Sequence, residues 1–277
     1  MSKKFNKENY FINRFKSSKI IGDDGAVVGG YVYSMDAFFE DVHFKTSWFT
    51  LKQIAQKAML VNISDAIVMN AKPKYALLSV AIPPHFGKKE LKELAKGFKK
   101  VSKEYGIEII GGDTISNSKL DISITIISES DKPIYRKGTQ VDDLVCYTGE
   151  LGKVKKDLNR LFQNKKISKK SKFIKPKLNP EFFYAISPYI NSALDISDGL
   201  FFELERLSKV NNIGYKFFNK INKDIGCSGE EYEVLFTFNM KYKKIIKKIA
   251  KKYNVKLNII AKSIVGSYKK RCEDHHF

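Results

Sequence analysis

Cysteine is scarce in these 277 residues, and the three present, Cys146, Cys227 and Cys272, are odd in number and far apart. They show no CxxC or other metal-type spacing, so the sequence indicates neither a disulfide framework nor a zinc site, and it assigns them no chemistry. No apolar run reaches the roughly 18 residues that a membrane-spanning helix needs. The N-terminal stretch MSKKFNKENYFINRFK is basic but has no apolar core to make it a signal peptide. A cytoplasmic protein without a membrane partner is the expectation. The GxxxxGK[ST] phosphate loop is missing, as are recognition-helix, RNA-binding and zinc-finger patterns. The sharpest absence is local. From Ile21 to Phe44 there is no Lys or Arg, although the chain holds 50 of them, and the same stretch carries Asp23, Asp24, Asp36, Glu40 and Asp41.

What is abundant is lysine, giving a net charge of +20. It gathers in segments such as GKKELKELAKGFKKVSKEYG and KYKKIIKKIAKKYNV, where Leu94, Phe98 and Val101, or Ile245, Ile246 and Ile249, recur at helical spacing. These are amphipathic helices with solvated lysines. Charge alone leaves a nucleic-acid-binding protein as an alternative, which would show a basic groove interleaved with aromatics and salt-sensitive binding. Strand-like runs (YVYSMDAFF, YALLSVAIP, LDISITIISE, DLVCYTGELG, NSALDIS, YEVLFTF, KLNIIAKSIVG) alternate with helices near residues 49–69, 88–104, 151–164, 199–210 and 241–252. The class is therefore α/β or α+β. A polar segment with Pro133 and Gly138 divides residues 1–140 from 141–277, and the lysine-rich NKKISKKSKFIKPKLNP reads as a mobile loop or connector.

The acidic residues lie in islands free of base, at the ends of strand-like runs or beside glycine: Asp65 in AMLVNISDAIVMNA, Asp113 in GIEIIGGDTISNS, Asp195 and Asp198 in NSALDISDGLFFELE, and Glu230 in CSGEEYEVLF. Each has a plain structural reading, Asp198 as a helix cap or Asp65 as a turn former. A carboxylate set in apolar surroundings is nevertheless costly unless a cation or donors meet it. If the islands converge, a hard divalent metal carrying a phosphorylated ligand is the natural counter-charge.

Taken in order, IGDD, MD, VHF, VNISD, GGDT, LDISDGL and SGEEYEVLF form a series that resembles the thiamine-monophosphate kinase family, within the aminoimidazole ribonucleotide synthetase-like superfamily, from about Ile21 to Phe236. The resemblance implies a two-domain fold of that superfamily, an N-terminal ATP- and magnesium-binding domain that pairs into a homodimer through its sheet, and a C-terminal α/β domain completing the site. The implied reaction moves the γ-phosphoryl group of ATP onto thiamine monophosphate with several Mg2+ ions. By position, Asp24, Asp36, Asp65 and Asp113 are implied to be catalytic. The same four with Ser34, Asp195 and Asp198 are implied to hold metal. Tyr105, Gly112, Asp113, Arg136 and Ser197 are implied to contact ATP, and His43 and Glu230 the thiamine monophosphate. The sequence departs from the family pattern at Met35, at Glu231, at Ile115–Ser116 where an arginine often stands, and near Asp274 where an aromatic residue is expected over the thiamine. Two superfamily relatives stay open as alternatives. A selenophosphate synthetase would want a reactive N-terminal cysteine, and a hydrogenase-maturation protein would want a C-terminal thiol, for which Cys272 is the candidate.

Overall fold

The computed structural model describes residues 7–15, 18 and 20–272. A short helix, α1 (Lys7–Ile12), precedes a five-stranded sheet ordered β1 (Ala26–Val28), β2 (Tyr31–Phe39), β5 (Asp121–Glu129), β3 (Lys72–Ile82), β4 (Glu108–Ser116). The β3–β4 pair is parallel and the other neighbours are antiparallel. Helix α2 (Leu51–Val68) links β2 to β3, and α3 (Lys88–Tyr105) supplies the crossover that the parallel pair requires. The second sheet is antiparallel throughout, ordered β7 (Ser192–Asp195), β9 (Val234–Phe238), β6 (Leu144–Thr148), β10 (Leu257–Val265), β8 (Ile213–Phe217). Helices α4 (Lys153–Phe162) and α5 (Pro180–Ile186) follow β6, α6 (Leu200–Asn211) follows β7, α7 (Lys223–Gly226) follows β8 and α8 (Lys243–Lys252) follows β9. This is the mixed class the sequence pattern implies.

Helix α2 is apolar on nearly every side, so it is buried on nearly every side, from Ile54 to Val68. Its start is fixed by a capping box: the Thr50 hydroxyl accepts from the Gln53 N–H at 3.3 Å, and Gln53 Oε1 accepts from the Thr50 N–H at 2.9 Å. Helix α3 is the opposite kind, burying Leu94, Phe98 and Val101 beneath a lysine face and ending on left-handed Gly106. One apolar core runs through both halves of the chain, joining Phe38, Phe44 and Ile122 to Phe173, Phe182 and Phe236. A smaller core lies under α6, around Val145, Leu194, Leu204 and Leu207.

Two expectations change. The lysine-rich segment is a connector anchored to the core and not a loop clear of it: Phe173 and Ile174 are buried in the main core, because their apolar side chains interrupt the lysines at the point where the segment crosses it. The cysteines are not all without chemistry either. Cys227, just after α7, is joined to Cys272 in the tail by a disulfide across 45 residues, a proximity that sequence spacing cannot reveal. Cys146 is a buried thiol whose ionisation burial suppresses. No helix among the described residues is long and apolar enough to cross a membrane.

Candidate active site

Three carboxylates from three parts of the chain converge. Asp24 sits in the turn before β1, Asp65 in the last turn of α2, and Asp195 at the end of β7, with one oxygen of each within 4.8 Å of the others. Asp65 is therefore a helical residue, inside the helix expected near 49–69 and not at the end of a strand-like run; VNISDAIV is rich in β-branched residues within a helix buried on nearly every side. The inner face of β2 brings Ser34 and Asp36 toward α2, following the period-two alternation of a strand. Burial, then the charges of Asp24 and Asp198, push the Asp36 carboxyl up to about 6. Burial raises Asp65 and Asp195 well above the usual carboxylate range, and their carboxylate neighbours add to it. Asp195 Oδ2 accepts a hydrogen bond from the Ser64 hydroxyl at 2.7 Å. Ser34 is spoken for, donating to Asn62 Oδ1 at 2.8 Å.

Two guanidinium groups meet this charge. Arg136 grips Asp24 in a fork, Nη2 to Oδ1 at 2.6 Å and Nε to Oδ2 at 3.3 Å, while its backbone N–H donates to Asp23 Oδ1 at 2.6 Å. Arg206, on α6, pairs with Asp198 and with Glu203, the latter at 2.7 Å. Asp198 is thus not the cap of α6. Gly199 holds that position with φ 116° and no side-chain bond, and the Asp198 N–H donates to Glu203 Oε1 at 3.1 Å. Of the opening acidic stretch, Glu40 and Asp41 point elsewhere: Glu40 accepts from Thr46 and from the Leu120 N–H, and Asp41 pairs with Lys119 at 2.9 Å.

The GGDT segment stands apart from the three-carboxylate group. It lies within β4, an edge strand exposed along its length, where Asp113 is opposite Ser79 and accepts from the Thr114 N–H. Gly112 is required by packing, since at φ 145° a Cβ there would meet the Leu78 carbonyl oxygen at 1.7 Å. Tyr105 closes α3 beside the core, its phenol pushed up to about 12 by burial and by Glu104. Ser197 lies between Asp195 and Asp198, and its carbonyl accepts from the Glu230 N–H. Met35 faces the opposite side of β2 from Asp36 and is 66% exposed. Asp274 lies outside the described residues.

The second end of the site forms around Glu230, in a turn where Glu230 and Tyr232 have φ of 54° and 49°. Glu230 Oε2 accepts from Lys57 Nζ at 3.1 Å. Lys57 is buried on α2, with the Phe173 ring 3.9 Å away and the Phe38 ring 5.7 Å away. Burial lowers its pKa, and Glu230 opposes that shift. His43 stacks on the same Phe38 ring at 5.5 Å, and its Nδ1 accepts from the Phe39 N–H at 3.0 Å, which assigns the ring proton to Nε2. The next two acids in the motif do structural work. Glu231 accepts from the Gly152 N–H at 2.6 Å, Glu233 from the Thr148 hydroxyl at 2.6 Å, and Lys172 of the connector bridges both at 3.0 and 2.8 Å. Sequence reading passed over Lys57, Ser64, Lys172 and Arg206. Only Lys57 carries a visible signal there, a lysine inside an apolar helical run.

Residues 22–129 match the family model described as AIR synthase related protein, N-terminal domain. The thiamine-monophosphate kinase of Nitrosopumilus maritimus is 33% identical over 220 residues, 73% of this chain and 71% of that protein. The thiamine-monophosphate kinase of Buchnera aphidicola subsp. Schizaphis graminum is 31% identical over 286 residues, 91% of this chain and 87% of its own. Among solved structures, AaThiL complexed with AMPPCP and TMP superposes over the whole of both chains with a TM-score of 0.86 at 23% identity, a likeness of fold.

Proposed function

The chain belongs to the thiamine-monophosphate kinase family, and we propose that it transfers the γ-phosphoryl group of ATP to the phosphate of thiamine monophosphate, with magnesium held by its aspartates. The observation that carries this reading is the convergence of Asp24, Asp65 and Asp195 within 4.8 Å. Hard oxygen donors from separate elements, with few cations beside them, suit magnesium, which takes one or two carboxylates per ion and keeps the remaining positions for water and phosphate. Asp24, Asp65 and Asp195 would hold it, with Asp36 and Asp198 as nearby carboxylates. When bound, the metal neutralises phosphate charge and aligns donor with acceptor.

The protein's own groups then have limited tasks. A phosphate monoester has a second pKa of about 6 and reaches the site already ionised, so no side chain need act as a base. Arg136, a rigid fork beside Asp24, supplies fixed positive charge where phosphates gather. His43 offers a neutral ring and Glu230 an acceptor to the thiamine end. For the ATP end we retain Tyr105, Gly112, Asp113, Arg136 and Ser197. Asp113 lies away from the three-carboxylate group, on a strand open to solvent. That placement fits a homodimer in which β4 meets a second copy. The outer face of the first sheet, exposing Tyr31, Tyr33, Met35, Tyr75 and Leu77, supports the same pairing. Incubation with ATP, magnesium and thiamine monophosphate should yield thiamine diphosphate, and the absence of product would overturn the assignment. Sedimentation equilibrium should give twice the chain mass.

A further inference from the structure

A buried lysine is an expensive way to fill a core, and an unbranched apolar residue at Lys57 would pack without desolvating a charge. Among the described residues its ammonium hydrogen-bonds one acceptor, Glu230 Oε2 at 3.1 Å, and lies against the rings of Phe173, Phe49 and Phe38 at 3.9, 5.6 and 5.7 Å. These rings stabilise the cation but leave it little freedom to choose another partner. Glu230 is equally constrained. Its backbone is left-handed at φ 54° and its N–H is tied to the Ser197 carbonyl, so the carboxylate leaves the turn in one direction. With Oε2 occupied by Lys57, the other oxygen, Oε1, is buried and has no hydrogen-bond partner among the described residues. A buried acceptor left in that state is a cost that a ligand donor would remove.

Lys57 lies eight residues before Asp65 on α2, about 12 Å along the helix axis, so the ammonium that fixes Glu230 comes from a part of the helix two turns away from Asp65. Apart from its phosphate, thiamine monophosphate has a single conventional hydrogen-bond donor, the exocyclic amine of the aminopyrimidine ring. We propose that Lys57 is a positioning residue that fixes Oε2 of Glu230 so that Oε1 is presented to this amine, making the pair a determinant of specificity for the aminopyrimidine. The inference rests on the thiamine monophosphate reading above and adds which part of the substrate is read, and by what.

Steady-state kinetics at saturating ATP and magnesium on wild type, Lys57→Met, Glu230→Gln and the double variant test it, each with thiamine monophosphate and with the analogue whose amine is replaced by a carbonyl oxygen. Lys57→Met should raise KM for thiamine monophosphate by about tenfold or more, with kcat within about threefold and KM for ATP unmoved, as expected when binding shared by ground and transition states is lost. Preference for substrate over analogue should fall by a similar factor. The double variant, in which the pair is neutral, should be no worse than about twofold beyond Glu230→Gln, because the two side chains act as one unit. A folded Lys57→Met with wild-type KM and wild-type discrimination would overturn the proposal, as would multiplicative losses in the double variant. If Lys57→Met fails to fold, the double variant against Glu230→Gln still decides the matter by the same criterion. A wild-type protein that forms no thiamine diphosphate overturns the functional reading itself, whereas normal wild-type turnover with an indifferent Lys57 overturns this inference alone.

Discussion

At Asp65 the local environment is almost wholly repulsive: burial, then Asp36, Asp195 and Asp24, all favour its proton, and only Arg136 opposes them. If Asp65 holds magnesium as proposed, Asp65→Asn should reduce turnover to below about 1% at saturating magnesium, since a metal ligand beside Asp24 and Asp195 is lost. The same substitution should leave the melting temperature of the metal-free protein at or above wild type, because it removes one charge from a crowded group. A folded variant retaining a tenth of the activity would take Asp65 out of the site. Arg136→Lys should cost about tenfold or more in kcat/KM, because an ammonium cannot reproduce the two-point grip on Asp24. Replacing Lys247, Lys248, Lys251 and Lys252 on the exposed face of α8 with Gln should change kcat/KM less than about twofold, and equal losses would make that helix part of the site. At this scale charge type showed the acidic islands, and the family resemblance, not charge, set Asp24, Asp65 and Asp195 apart from Glu40 and Asp41. The sequence was not legible where partners come from distant segments, as Lys57 does for Glu230, or where a local pair depends on a turn that only the folded chain defines, as Arg206 on Asp198 does.

Among the elements, the connector between α4 and α5 is held by a buried ionic staple in which Lys172 bridges Glu231 and Glu233. The departure from the family's aspartate at position 231 has a use here, since the glutamate side chain spans the distance to the Gly152 N–H as well as to Lys172. Lys172→Met should lower stability by about 3 kcal/mol, the cost of stranding buried carboxylates, measurable by urea denaturation at neutral pH. A change below about 1 kcal/mol would show that water replaces the lysine there. The strongly patterned elements, β2, β5 and α3, were readable from periodicity, whereas α2, apolar on nearly every side, shows as a long apolar run. Strand β4 was not, because two glycines and exposure along its length erase the alternation, and β8 was hidden by its brevity and by Gly214. The Cys227–Cys272 link was beyond any spacing rule.

For the molecule as a whole, the crowded carboxylates tie stability to pH and to metal. A carboxyl group whose pKa is raised by folding, as Asp36 is to about 6, contributes its stability below the unfolded value of about 4 and loses it as pH rises through about 6. In a chelator, the difference in melting temperature between wild type and Asp36→Asn should therefore turn against wild type as pH climbs from 4 to 7. Comparing the two proteins cancels groups that do not feel Asp36, while Asp65 and Asp195, which its charge raises, shift the difference in the same direction. Magnesium at about a hundred times its dissociation constant should add about 2.7 kcal/mol at pH 7 and reverse that trend. A wild type whose metal-free stability keeps pace with Asp36→Asn across this range would mean that burial, with Asp24 and Asp198, does not raise Asp36.

The apolar core that runs through both sheets has a mechanical consequence. Asp65 and Asp195 ride on α2 and β7, and α2 is embedded in the core that also holds Phe173, Phe182 and Phe236 from the second half. A swing of the two halves about the segment near Gln140 would have to break that shared core. The aspartates are set at one spacing by one block of packed side chains, as two marks are fixed on a single ruler, and that spacing persists for as long as the block stays folded.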